Sequence, residues 1–163
     1  LQQYANAVSY ADKVLANSKI DNNVKSDAQV IIARSAMQTG DENKAAAAYR
    51  EVSKIATGAL AAEALYYDAY FKNKNADYTG SNASVQKLAK DYSGYKEYGA
   101  KGLVLMAQNF YELDDAYQAT YILDNVITNF TDYPEVVAEA QQELTRIKAA
   151  ESKTNSSLEE GNN

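Results

Sequence analysis

Residues 103–130 read Leu-Val-Leu-Met-Ala-Gln-Asn-Phe-Tyr-Glu-Leu-Asp-Asp-Ala-Tyr-Gln-Ala-Thr-Tyr-Ile-Leu-Asp-Asn-Val-Ile-Thr-Asn-Phe. Leu103, Met106, Ala107 and Phe110 stand at i, i+3, i+4 and i+7, the spacing that puts apolar side chains on one face of a helix. After Asp114-Asp115 the pattern restarts with Ala119, Ile122, Leu123, Val126, Ile127 and Phe130. The stretch is a helical hairpin. Each of its apolar stripes is too wide for the partner helix alone to cover, so the hairpin requires neighbours on both sides.

The rest of the chain supplies them. Small residues of the second helices fall at Ala7, Ala45, Ser81 and Ala119, spaced 38, 36 and 38. Seven residues further on, Val14, Val52, Leu88 and Val126 keep the same intervals, and in the first helices Ala33, Ala69 and Ala107 lie 36 and 38 apart. Three series that share one alternation of spacings indicate a repeat rather than an irregular alanine-rich bundle. A small residue is needed where helices cross at about 8–10 Å, because a larger one would hold the backbones apart.

Composition agrees. A chain of 163 residues with one proline and seven glycines lacks the turn signals of an all-β protein. Net charge is −6 with the basic residues scattered, which argues against a nucleic-acid partner, since phosphates demand a positive face. No apolar run reaches the roughly 18 residues of a membrane-spanning helix. There is no cysteine and no histidine, so thiolate chemistry, zinc-thiolate sites and imidazole acid-base chemistry have no residues to use. No cofactor or metal is expected.

In order, the periodicity predicts a helix within 1–17 and hairpins over 24–57, 58–93 and 94–131. A single helix at 134–152, opened by Pro134, comes last and is expected to be the solvating cap of the array. The weakest helical pattern is Ser81–Tyr92, preceded by Tyr-Thr-Gly, which is poor helix material. Residues 153–163 carry too little apolar surface to offset the entropy of ordering them and are expected to form a disordered tail. Because Leu1 already lies inside a helical pattern, a fragment of a longer protein is expected.

These hairpins resemble the tetratricopeptide repeat, a helix-turn-helix unit of about 34 residues. The resemblance rests on the small pairs Ala33/Ala45, Ala69/Ser81 and Ala107/Ala119, with bulky Tyr49, Val85 and Leu123 between the second small residue and the core position. The family's first-helix tryptophan is replaced by Gln29, Leu65 and Leu103, and its junction proline is missing or displaced, as at Pro134. Residues 61–147 are similar to the C-terminal end of long repeat proteins of Bacteroidetes-type bacteria. The resemblance implies an all-α, right-handed superhelical solenoid of about seven helices and a non-enzymatic role in binding a protein or peptide. It implies a cell-envelope or periplasmic setting, with the cytoplasm as alternative. In this family the first helices line a concave groove, and that face maps onto Arg34, Tyr66, Tyr70, Asn73, Lys101, Gln108 and Tyr111. A structural variant makes the chain an end-cap or spacer of a longer solenoid, without a groove of its own.

Other motifs weigh less. Ser84-Val-Gln-Lys87 and Ser93-Gly-Tyr-Lys96 both match the Ser-x-x-Lys of serine hydrolases, but the partner Ser-Asp-Asn and Lys-Thr-Gly motifs are missing. A serine-lysine hydrolase is therefore a remote alternative. Asp114-Asp115 has the form of a carboxylate pair, yet between helices its ordinary role is capping. Asn82, Asn129 and Asn155 begin glycosylation sequons in form only.

Overall fold

The computed structural model describes the backbone of residues 2–160 and the side chains of residues 3–153. Among the described residues are eight α-helices and no strand: α1 (Gln2–Leu15), α2 (Asn22–Thr39), α3 (Glu42–Ile55), α4 (Gly58–Lys74), α5 (Tyr78–Asp91), α6 (Lys96–Glu112), α7 (Ala116–Asn129) and α8 (Pro134–Glu160).

One turn is used three times. Gly40, Ala76 and Asp114 end α2, α4 and α6 in the left-handed conformation, with φ of 76°, 59° and 62°. The next residue in each case is an aspartate, Asp41, Asp77 or Asp115, whose carboxylate accepts the N–H three residues on at 3.0, 2.9 and 3.0 Å. The Asp114-Asp115 pair is thus a turn residue followed by a cap. The same device explains α5, where the helical pattern is weak. A Cβ on Gly80 would stand 2.1 Å from Asp77 Oδ2, so the cap carboxylate lies over this glycine more closely than it could over a side chain without shifting. The helix starts at Tyr78, earlier than its apolar period indicates.

Each helix packs on the next, and in addition α4 touches α6 and α6 touches α8. No comparable contact joins α3 to α5 or α5 to α7 among the described residues. From α4 on, first helices therefore form a close inner layer and second helices a splayed outer one, the arrangement of a helical-repeat array. The small positions lie at the crossings: Ala33, Ala45, Ala69, Ala107, Ser81 and Ala119 are all 0% exposed. Val52, Leu88 and Val126 are equally buried, whereas Ala7 and Val14 are half-buried because α1 packs only on α2. The structure adds a fourth series, Ala28, Ala64, Gly102 and Ala140, spaced 36, 38 and 38 and buried throughout. That series carries the register into α8, which is the first helix of a further unit.

Apolar burial follows the same progression. One cluster centres on Ile32, Tyr49 and Val52, a second on Ala69, Val85 and Met106, and a third on Leu123, Val126 and Ile147.

Among the described residues the helices number eight, where about seven are expected, and α8 runs on to Glu160, past the 152 at which the sequence places its end and the start of a disordered tail. Extending a formed helix adds one hydrogen bond per residue fixed and needs no new nucleus, so a polar run can continue one that packing has started. Residues 161–163 of that expected tail lie outside the described residues. No described helix is long and apolar enough to cross a membrane.

Candidate functional site

The seven candidate residues lie on the first helices α2, α4 and α6, and most of them are already engaged by other side chains of the fold. The strongest cluster surrounds Glu63, a carboxylate only 2% exposed. Arg34 Nε donates to Glu63 Oε1 at 2.8 Å and its terminal nitrogen donates to Oε2. Tyr49 Oη donates to Oε1 at 2.8 Å and Tyr98 Oη to Oε2 at 2.9 Å. Residues of α2, α3 and α6 thus converge on one residue of α4. Burial alone raises the Glu63 carboxyl, but the guanidinium and the two phenols outweigh it and hold the group below its ordinary value. Burial first, then the adjacent carboxylate, pushes the Tyr49 and Tyr98 hydroxyls up.

A second network lies further along the layer. Asn109, fully buried, donates to Ser81 Oγ at 2.8 Å and Asn82 Oδ1 at 2.7 Å, and accepts from Asn73 Nδ2 at 2.7 Å. Ser81 Oγ in turn donates to the Ala69 carbonyl at 2.8 Å. Asn73 is consequently committed to the core of the α4–α5–α6 junction. This also places the Asn82 sequon inside the structure, with Asn82 8% exposed.

The other candidates differ in availability. Tyr66 packs edge-on to Tyr67 at 5.1 Å and against Tyr98 at 6.0 Å, and burial raises its hydroxyl. Tyr70 donates to Glu42 Oε1 at 3.2 Å, with Lys74 Nζ 5.9 Å from its ring. Lys101 pairs with Glu97 at 2.5 Å and sits 5.6 Å from the Tyr98 ring centre. Tyr111 lies under the Arg146 guanidinium at 4.9 Å. Gln108 makes no protein hydrogen bond among the described residues and lines an open cavity of about 310 Å³ with Asn73, Tyr78, Glu112, Glu143 and Arg146.

Sequence reasoning passed over Glu63, Tyr98, Asn109, Glu139, Glu143 and Arg146. Glu63 had a signal: an acid set among Ala61, Ala62, Ala64 and Leu65 must either break the apolar pattern or find partners. The α8 residues were missed because that helix was read as a solvating cap.

The Ser-x-x-Lys pairing is not formed by Ser84, which is buried and packs against α4. Its hydroxyl lies 2.5 Å from Asp68 Oδ2 and receives Lys72 Nζ at 2.9 Å, while Lys72 and Asp68 pair at 2.7 Å. Ser84, Asp68 and Lys72 thereby clasp the α4–α5 hairpin. Among the described residues no group of three His, Cys, Asp or Glu could hold a metal ion.

No protein-family model matches the chain, and no curated protein matches it either.

Proposed function

We propose that this chain is a non-enzymatic interaction scaffold of the tetratricopeptide type, whose inner face takes an extended segment of another protein. The supporting observation is the contact of α4 with α6 and of α6 with α8, which makes one continuous face. On it lie the Tyr66, Tyr98 and Tyr111 rings, the Gln108 amide and the open polar cavity. Tyrosine offers large contact area at low entropy cost together with a polar tip, and a free side-chain amide can pair with a peptide backbone. A bacterial envelope assembly is the setting the family resemblance implies.

A second reading is supported by the Arg34–Glu63–Tyr98 cluster, which commits the α2 and α4 part of the face to internal contacts. On that reading the chain is a spacer within a longer solenoid. A peptide array probed with the wild-type chain and with Gln108→Ala/Tyr111→Ala separates the two. The scaffold reading expects selective binding that the double variant loses at unchanged helicity, and that Tyr117→Ala/Tyr121→Ala on the outer layer keeps. Equal binding by all three proteins, or none by any, favours the spacer.

A further inference from the structure

The open cavity at the α4–α6–α8 junction has a charge pattern that selects among segments, and the inference rests on the scaffold reading above. The α6–α8 half of the inner face carries Glu97, Glu112, Glu139 and Glu143 against Lys101 and Arg146. Both cations are used. Lys101 pairs with Glu97, and Arg146 makes a two-pronged contact with Glu143, Nε to Oε2 at 2.9 Å and its terminal nitrogen to Oε1 at 2.7 Å. Glu112 and Glu139 are left without a hydrogen-bonded cation among the described residues, though Arg146 and Lys101 act on them through space, on a chain whose net charge is already −6.

Their positions are set by the fold. Glu112 lines the cavity directly. Glu139 occupies on α8 the register position that Lys101 holds on α6 and Glu63 on α4, and Lys101 is near enough to act on it through space. It lies one turn before Glu143, on the same face of α8, because residues four apart on a helix are neighbours. Glu139 is exposed, yet partial desolvation by the surrounding helices, with Glu143 adding to it, pushes its carboxyl up despite the pull of Lys101.

We propose that this half of the inner face recognises its extended segment through a lysine or arginine side chain, which enters the cavity against Glu112 and passes Glu139 on the way. The cavity, at about 310 Å³, is at the small end of ligand pockets and suits one long side chain rather than a bulky ligand. Gln108 is placed to hydrogen-bond the segment's backbone beside it. The Arg146 guanidinium over the Tyr111 ring shows that a cation is accommodated on the aromatic part of this face. An acidic segment would meet Glu112 and Glu139, neither of them hydrogen-bonded to a cation, while Lys101 and Arg146 already pair with Glu97 and Glu143.

The test is fluorescence anisotropy at physiological salt with three acetylated hexapeptides alternating glycine with lysine, serine or glutamate. The lysine probe is expected to bind tightest. Glu112→Gln/Glu139→Gln is expected to weaken it by about threefold to tenfold, the range of partly exposed ion pairs. Asp91→Asn/Asp124→Asn, an equal charge change on exposed outer-layer residues, should leave it within about twofold. If both double variants weaken the lysine probe equally, attraction is diffuse and the inference fails. If the serine or glutamate probe binds better and Gln108→Ala/Tyr111→Ala abolishes that binding, the groove stands and its preference for a cation is refuted. Binding of no probe at all also refutes it.

Discussion

Glu63 shows how a single residue can join parts of the chain that are far apart in sequence. Its carboxylate accepts from three helices, so Glu63→Gln leaves the buried Tyr49 hydroxyl and the Arg34 fork badly matched. A loss of about 2–4 kcal/mol is expected in urea denaturation. Arg34→Gln should cost less, about 1 kcal/mol, because the Arg34 side chain is 56% exposed and its charge is partly screened. Equal losses would mean that Arg34 and not Glu63 is the centre of the cluster. The pH dependence follows from the lowered carboxyl. Its contribution is fully present above the unfolded value of about 4.3 and is lost as pH falls through the lower folded value. The wild-type advantage over Glu63→Gln should therefore shrink in acid, and an advantage that grew there would contradict the assignment. Ala76 carries a smaller effect of opposite sign. It is a Cβ-bearing residue at φ 59° in the position where Gly40 ends α2, so Ala76→Gly should raise stability by about 0.5–1 kcal/mol, read as a higher urea midpoint. A lower midpoint would show that the turn is not strained.

At the scale of the helix, the crossings decide. Ala107 and Ala119 are 0% exposed where α6 meets α7, and leucine at either should cost about 1–3 kcal/mol by overpacking. Ala47→Leu, on the exposed side of α3, is the control and should stay within about 0.5 kcal/mol. Thermal denaturation in which all three behave alike would invalidate the register. These positions were legible in the sequence because close helix packing imposes a small residue at a fixed interval, and intervals survive when residue types drift. The fourth small series was equally present at Ala28, Ala64, Gly102 and Ala140, but Gly102 looks like a helix breaker until Val85 is seen beside it, 3.1 Å from where a Cβ would stand. The start of α5 was hidden for a related reason, since Thr79-Gly80 disfavours a helix until Asp77 caps it. The polar clusters were less legible. The apolar period marks which face is covered, not which acid, phenol or amide will meet across thirty or so residues.

Across the whole molecule, each hairpin touches only its neighbours, so stability is expected to be a sum of local interfaces rather than a property of one core. Two polar clusters break the uniformity. Glu63 ties α2, α3, α4 and α6, and Asn109 ties α4, α5 and α6, so the two hairpin junctions in the middle of the chain carry buried polar contacts as well as apolar ones. At one end, among the described residues, α1 packs on α2, exposes Tyr10 to 74%, and has Ala11 as its one fully buried residue, with Val8, Val14 and Leu15 partly buried beside it. The inner face inherits this gradient: the residues around Glu63 are held in place before any ligand arrives, while the cavity beside Gln108 opens between α6 and the terminal helix α8. Native-state amide exchange should consequently be slowest in α4 and α6, faster in α7 and α8, and fastest in α1, with opening free energies that rise toward the middle. In Glu63→Gln the α4 amides should lose protection more than those of α7. A single opening free energy from α1 to α8, unchanged in order by Glu63→Gln, would mean that the chain unfolds as one cooperative unit. The Glu63 and Asn109 clusters would then add stability without dividing the array.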